Sequence, residues 1–370
     1  MAVAAAKVAA KAGPTTVVDV DKVKANYKAL TEAIPDVMPL MDGSASLVTQ
    51  MLEGFGWFVV FNKPELESAL TSGVEPASLA FLAGAKPASA IKLGLRNGVR
   101  VFGCGSINEV AKLAKAKGTL TLSIVIVIDP TDIQPLASLL QMVDIAKRQG
   151  DRVVGVSLQS TDGVTDDQFT KSVAISRLMF EAIGEGGIFD MGQVDEKSEE
   201  RAAVAAAQLS AVGVKLAARA GTAVTQDAVG LAVKVSAVKA SAVVVEESIY
   251  GAFSGLLAGE KVTDQPHIVA AEPPSDEETA NKYDIYGCTG EDSDVIMMGA
   301  NVGRVLNRGD WLVFPNVMSP TPTAVHLSTA TPPSPWMTLD HDDIIDISDL
   351  EALFCCPDLT EEDMENMFNV

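Results

Sequence analysis

Cysteine and histidine are scarce in this 370-residue chain, and each scarcity excludes a class of protein. Four cysteines, two of them adjacent at Cys355 and Cys356, are too few for a disulfide scaffold and indicate reduced thiols. The only histidines, His267, His326 and His341, argue against a zinc site or a Ser–His–Asp triad, and we expect no metal. No apolar run is long enough to predict a transmembrane helix.

Basic residues are also few relative to acids. The chain has 49 Asp and Glu residues against 28 Lys and Arg residues, which gives a formal net charge of −21. No Lys or Arg follows Arg308, whereas twelve acids lie between Asp310 and Glu365. Because nucleic acids and anionic membranes bind clustered cations, we expect neither a nucleic-acid partner nor membrane insertion.

The N-terminal segment MAVAAAKVAAKAG is rich in alanine and contains no acid. We interpret it as the frayed end of a cytoplasmic protein. A fragment of an organelle-targeting peptide is the alternative, although the segment lacks the arginine that such peptides carry.

Short β-branched runs alternate with Ala-, Leu- and Lys-rich segments of helical period over the first 225 residues. The runs that predict strands begin near Val37, Trp57, Ser78, Val101, Leu120, Arg152, Gly187 and Val214. The predicted helices span 64–72, 87–97, 107–117, 133–149, 166–183 and 196–211. Ser106 and Asp166 are predicted N-caps, and Pro64 and Pro87 suit a first helical turn. Eight strands, most followed by a helix, predict an α/β fold of the (β/α)8 barrel type, with a doubly wound sheet as the alternative.

The pattern changes after about residue 225. Valine-rich alternation in AVGLAVKVSAVKASAVVVEE and the run RGDWLVFPNV predict a β domain, a sandwich or β-barrel. We therefore expect an N-terminal segment over 1–36 that joins the β domain, a barrel over 37–225, a C-terminal β domain over 226–335, and an acidic amphipathic tail over 336–370. The tail is interpreted as a solvated segment, with a docking segment for a basic or apolar groove as the alternative.

Several stretches resemble, in order, blocks of the ornithine/arginine/diaminopimelate decarboxylase family. They are 15–35, 79–116, 151–169, 243–257 and 308–316. The similarity is greatest to the eukaryotic ornithine decarboxylase branch, which acts in polyamine metabolism. The resemblance implies an alanine-racemase-like fold, in which a barrel that holds pyridoxal phosphate is followed by a β domain.

The resemblance fails at the residues that carry the family's chemistry. The family's Schiff-base lysine falls within MPLMDGSAS, at 38–46, and no lysine lies between Lys28 and Lys63. Gln159 takes the place of a histidine that stacks on the cofactor ring. Arg219 takes the place of an acid that keeps the ring nitrogen protonated, and a cation there would repel a protonated ring.

Weak remnants of the family's site remain. Matches to cofactor-binding positions are Asp190, Gly192 and Gly221, and matches to catalytic positions are Glu247, Cys288 and Glu291. The residues for covalent attachment, ring electronics and ring orientation are absent together with most of the phosphate loop. Because such groups act as a unit, their combined loss indicates that the family's site is no longer intact. We therefore assign no catalytic or cofactor-binding residue firmly, and we expect no cofactor.

The first functional interpretation is a non-catalytic, ornithine decarboxylase-like pseudoenzyme that acts by protein binding. The family offers antizyme inhibitors and inactive partners of a catalytic subunit as precedents, so the expected partner is a family homologue or an antizyme-like regulator. We also expect a dimer. The family's antizyme-binding surface corresponds to about 92–117, where the basic residues are Lys92, Arg96, Arg100, Lys112, Lys115 and Lys117.

Two other interpretations stay open. The second interpretation is an active enzyme. It would be either a pyridoxal phosphate-dependent decarboxylase of the ornithine type with a rearranged site and Lys63 as the amine, or an enzyme with a different chemistry in the barrel mouth. The acids relevant to such an enzyme are Asp162, Asp166, Asp190 and Glu247. A structural subunit within a larger assembly is the third interpretation.

Overall fold

The computed structural model describes residues 13–42, 57–71, 73–161, 163–184, 186–258, 262–269, 282–317 and 324–328. The chain divides into two units. One comprises the residues up to Lys22 and those from Asp227 onward, and the other runs from Val23 to Gln226.

The chain begins with strand β1 (Thr15–Asp19) and helix α1 (Val20–Ala33), and then enters a closed barrel of parallel strands. The eight barrel strands are β2 (Val37–Asp42), β3 (Trp57–Val60), β4 (Leu79–Phe81), β5 (Val101–Cys104), β6 (Ser123–Ile128), β7 (Arg152–Leu158), β8 (Ile188–Gln193) and β9 (Lys215–Arg219). Consecutive strands pair in parallel, and β2 pairs with β9 to close the ring. The predicted (β/α)8 barrel is confirmed.

Helices connect the barrel strands. They are α2 (Lys63–Thr71), α3 (Ala88–Arg96), α4 (Ile107–Lys117), α5 (Leu136–Arg148), α6 (Asp166–Ile183), α7 (Ser198–Leu209) and α8 (Gly221–Thr225), with 3-10 turns at Pro76–Ser78 and Ser210–Val212. Ser106 caps α4, as predicted, by accepting a hydrogen bond from the Glu109 amide.

The predicted cap of α6 was wrong by one residue. Thr165, and not Asp166, is the N-cap, because its hydroxyl accepts from the Gln168 amide while the Gln168 side chain accepts from the Thr165 amide. Asp166 instead begins the helix, where its negative charge suits the positive end of the helix dipole.

The barrel interior is filled with small and medium apolar side chains. Leu40, Val59, Ala80, Val125 and Ala217 belong to one buried cluster. Strand β6, which carries Val125, does not neighbour β2, β3 or β9, so the cluster extends across the interior of the barrel. The centre of the barrel is therefore a packed core.

The second unit contains a mixed sheet. Its further strands are β10 (Val229–Lys239), β11 (Ala242–Val245), β12 (His267–Val269), β13 (Lys282–Tyr286), β14 (Val295–Asn301), β15 (Trp311–Pro315) and β16 (Ala324–Ser328), with a 3-10 turn at Ser254–Ala258. The order is β12-β15-β10-β11-β13-β14, and β1 pairs with β10 and β16. Phe253 and Phe314 pack edge to face in its core, with ring centroids 5.0 Å apart. The predicted C-terminal β domain is confirmed.

The acidic tail at 336–370 lies outside the described residues, as do the N-terminal twelve residues and Ser44. Among the helices of the described ranges, none has the length and apolar character needed to span a membrane. The described side chains also include no group of three His, Cys, Asp or Glu residues that could hold a metal ion.

Candidate functional site

The candidate site lies at the C-terminal end of the barrel strands, the end at which (β/α)8 enzymes place their functional residues. We call this end the barrel mouth. Arg219 is the last residue of β9, Leu158 the last of β7, and Phe61 directly follows β3. Asp190 lies within β8. The fold thus brings together two positions that sequence comparison had singled out, Asp190 and Arg219.

Arg219 is buried, with only 4% of its surface exposed. Nη1 donates to the Gln159 carbonyl at 3.0 Å and Nη2 to the Leu158 carbonyl at 2.5 Å. Nε lies 3.5 Å from Oδ2 of Asp190, and the guanidinium carbon lies 5.2 Å from the centroid of the Phe61 ring. One side chain therefore links β9 with β7, β8 and the end of β3.

Asp190 balances the charge of Arg219. Its carboxylate accepts hydrogen bonds from the Ser157 hydroxyl at 2.6 Å and the Gly192 amide at 3.0 Å. Burial raises the pKa of Asp190, and Arg219, Ser157 and the Gly192 amide each oppose that shift.

Gly192 adopts a positive φ of 97°, and a Cβ atom there would meet the Thr161 side chain. The Gly192 amide therefore already donates a hydrogen bond within the protein, and the Thr161 side chain fills the position that a Cβ of residue 192 would take. Gly221, the third predicted cofactor position, begins the five-residue helix α8 and is buried.

A cavity of about 480 Å³ opens beside this cluster. Its lining includes Phe61, Leu82, Gly84, Ser106 and Gln159, and none of the described residues that line it is charged. Gln159, which was predicted to replace a stacking histidine, is exposed here.

Leu40 stands in the barrel interior on β2, the strand where the family's lysine was expected. It is 5% exposed and packs with Val59 and Ala217. Lys63 begins α2 with 43% of its side chain exposed and forms an ion pair with Glu67 at 3.0 Å. Its Nζ is thus engaged on the exposed surface of α2.

Sequence reasoning missed a second buried cation, Lys86. Its Nζ donates to the carbonyls of Ala83 and Gly103 and lies 3.0 Å from Oε1 of Glu109, and Glu109 also pairs with Lys112. Burial lowers the pKa of Lys86. Lys86 and Glu109 are 23 residues apart, and only the packing of α4 beside the β4–α3 loop brings them together.

The catalytic remnants of the second unit form a separate cluster. The Cys288 amide donates to the Glu247 carbonyl at 3.0 Å, and the Tyr250 hydroxyl donates to Glu291 at 3.1 Å. Asp294 is fully buried and accepts from the Ile249 amide and the Thr289 hydroxyl. The remnants therefore share one turn region whose polar groups hold the backbone in place.

The basic segment at 92–117 divides into internal and exposed cations. Arg100 donates to two carbonyls, Lys112 pairs with Glu109, and Lys117 pairs with buried Asp151. Exposed cations of this segment that form no ion pair with any described residue are Lys92, Arg96 and Lys115. The basic face is therefore about half as large as the sequence suggested.

Of the other acids considered, Asp166 is exposed and pairs with Lys197 at 2.8 Å, which lowers the pKa of Asp166. Asp162 lies outside the described residues. Asp166 does not contribute to the barrel-mouth cluster.

Comparison with known proteins defines the class. The family model for the pyridoxal-dependent decarboxylase, C-terminal sheet domain, matches residues 16–317. The chain belongs to this ornithine/diaminopimelate/arginine decarboxylase family.

The chain is similar to proteins with different activities. It is 25% identical to Antizyme inhibitor 2 of Xenopus laevis over 347 residues, which covers 81% of this chain and 75% of that one. It is 26% identical to ornithine decarboxylase of Neurospora crassa, covering 72% of this chain and 67% of that one. The structure of Paramecium bursaria Chlorella virus arginine decarboxylase bound to agmatine has a similar fold, with a TM-score of 0.68 and 18% identity over 87% of this chain and 97% of that one.

Proposed function

We propose that this chain acts by binding another protein, as a non-catalytic member of its family that needs no cofactor. The observation that carries the proposal is the first barrel strand, β2, which has no lysine and places the hydrocarbon of Leu40 in the barrel interior. Covalent attachment of pyridoxal phosphate needs an amine. Strand β2 supplies none, and Lys63 is engaged with Glu67 on the surface.

The proposed partner is an antizyme-like regulator or a catalytic homologue, with which this chain would form a dimer. The similarity to Antizyme inhibitor 2 supports the first and the similarity to ornithine decarboxylase the second. On this chain, the proposed contact surface for an antizyme-like partner is the exposed part of α3 and α4 that carries Lys92, Arg96 and Lys115. A cationic surface on an acidic chain favours an acidic partner surface and orients it during encounter.

The test is a titration of purified chain with an antizyme and, separately, with an ornithine decarboxylase, followed by size-exclusion chromatography with light scattering. We expect a stoichiometric complex with one of them. Replacing Lys92, Arg96 and Lys115 by Glu should lower the affinity for an antizyme at least about tenfold. The other properties of the chain should not change.

A matched control reverses three other exposed cations, Lys24, Lys28 and Lys215, and changes net charge equally. It should leave the affinity within about twofold. The absence of a complex with both candidates would contradict the proposal, and equal losses in the two variants would contradict the choice of surface.

A second candidate function is decarboxylation. The gathering of Glu247, Tyr250, Cys288 and Glu291 in one turn region favours it, as does the similarity to the Neurospora crassa enzyme. Incubating the chain with pyridoxal phosphate and labelled ornithine, arginine or lysine would detect released carbon dioxide. Release above a heat-denatured control would establish this function in place of the first.

A further inference from the structure

The family is pyridoxal-dependent. In this chain Arg219 and its partners occupy the side of the barrel mouth formed by β7, β8, β9 and the end of β3, beside the cavity of about 480 Å³. We infer that Arg219 is a built-in closure of this side of the barrel mouth, and that the residues around it do not fit pyridoxal phosphate. This inference does not depend on which protein the chain binds.

Arg219 closes this side of the mouth first through its direct contacts. The guanidinium joins the Leu158 and Gln159 carbonyls at the end of β7, lies beside Asp190 of β8, and stacks near Phe61 at the end of β3. A planar group with five donors in fixed geometry suits such a set of carbonyl and carboxylate acceptors. The side chain therefore links β9 with β7, β8 and the end of β3, and it is not available for an incoming ligand.

The closure is also electrostatic. An arginine side chain stays charged at all relevant pH values, so any group that entered would face a permanent cation. A protonated ring nitrogen is stabilised by a nearby acid and destabilised by a nearby cation. Asp190, the acid at hand, already faces Arg219 and accepts from Ser157 and Gly192.

The position matched to the family's phosphate loop, at Gly192, is occupied as well. Phosphate needs backbone amides that point outward and glycine positions over which it can lie. The Gly192 amide donates its hydrogen bond to Asp190, and the Thr161 side chain fills the space where a Cβ of residue 192 would lie. The residues present do not fit pyridoxal phosphate.

The first test uses the unmodified chain. Purified protein is incubated with pyridoxal phosphate, reduced with borohydride, and analysed by intact and peptide mass spectrometry, with a parallel melting curve. We expect substoichiometric labelling scattered over exposed lysines and no rise in melting temperature. One stoichiometric adduct, or retained cofactor with a raised melting temperature, would overturn the inference, while the antizyme titration would still report on the proposed function.

The second test asks whether Arg219 closes the barrel. Leu40, its register partner on β2, is changed to Cys in a chain whose Cys288, Cys355 and Cys356 are Ser. Labelling of Leu40→Cys by a maleimide should be at least about tenfold faster when Arg219→Ala is added. Buried Cys104 serves as the internal control, because it becomes labelled only if the whole barrel opens.

The matched control is Arg201→Ala. Arg201 is equally buried, pairs with Asp195 at 2.6 Å and lies 5.3 Å from the Phe169 ring, yet it belongs to α7 and not to the mouth. Its loss should leave the labelling of Leu40→Cys unchanged. Equal labelling rates with and without Arg219 would overturn the closure.

Discussion

Leu40 and Arg219 are register partners on the adjacent parallel strands β2 and β9, at the seam where the barrel closes. The Ala220 amide donates to the Leu40 carbonyl at 2.8 Å, which extends that seam beyond the strand. A hydrocarbon within the segment 38–46, to which the family's lysine was matched, therefore lies beside a buried cation at the position matched to the family's acid.

Removing the positive charge of Arg219 should leave Asp190 without its counter-ion. Arg219→Met leaves Asp190 buried without its cation, and we expect a loss of about 3–5 kcal/mol in the free energy of unfolding. Adding Asp190→Asn should recover a large part of that loss, since an amide carries no charge to desolvate. Urea unfolding of the two single variants and the double variant measures the coupling, and strictly additive losses would contradict the pairing.

The same variant should show a stronger pH dependence than the parent. Without Arg219, burial raises the pKa of Asp190 with less opposition than in the parent chain. An acid whose pKa is raised on folding binds a proton more tightly in the folded state, so stability falls as pH rises above its unfolded pKa of about 4. Unfolding midpoints of Arg219→Met should therefore fall more steeply than those of the parent as pH rises above about 4, and parallel curves would contradict the prediction.

Lys86 should be a structural cation. Lys86→Met leaves Glu109 buried with only Lys112 as its cation and frees the carbonyls of Ala83 and Gly103, so we expect a loss of about 3 kcal/mol. Lys92→Met removes an exposed lysine from the neighbouring helix and should change stability by less than about 0.5 kcal/mol. Equal urea midpoints for the two variants would show that the buried network contributes nothing.

Two glycines with positive φ separate backbone strain from crowding. Gly163 has φ of 68° with open space around it, whereas a Cβ at Gly192 would meet Thr161. Gly163→Ala should cost about 1 kcal/mol from strain alone. Gly192→Ala should cost about 1–3 kcal/mol more, because Thr161 must also move. Thermal melts compare the two, and similar shifts would rule out the Thr161 contact.

Cys104 should be inert in the folded protein. Burial raises the pKa of the Cys104 thiol to about 12, so at pH 8 only about one molecule in ten thousand carries the reactive thiolate. In a chain with Cys288, Cys355 and Cys356 changed to Ser, a thiol reagent at pH 8 should label nothing until denaturant is added. Restoring exposed Cys288 should restore rapid labelling of one thiol. Rapid native labelling of Cys104 would contradict its burial.

The spacing of apolar residues predicted the helices and strands well, because burial of one face imposes that spacing. The helices at 107–117 and 166–183 have the predicted bounds, since apolar spacing and the turn residues Ser106 and Gly184 mark their ends. The strand predicted near Leu120 begins at Ser123, because Gly118 and Thr119 form a turn and the residues up to Thr121 remain exposed. The helix predicted from 133 begins at Leu136, since Pro135 provides its N-cap.

The chemistry of the barrel mouth was only partly predictable. The sequence indicated that Arg219 is incompatible with a protonated ring, yet its partners at Leu158 and Gln159 are backbone carbonyls, which leave no signature in a sequence. The six cations at 92–117 looked equivalent for the same reason. Only the fold shows that Lys117 reaches Asp151, which lies 34 residues further along the chain.

The pairing of β2 with β9 also bears on how the chain is made. Residue 40 leaves the ribosome long before residue 219, and β1 likewise waits for β10, its partner through Thr15 and Ala232. Chains emerge N-terminus first, and unpaired strand edges on partly folded intermediates are prone to aggregate. An incomplete nascent chain therefore carries two open edges until more than half of the protein has been synthesised, and this interval is the period in which a chaperone would be needed most.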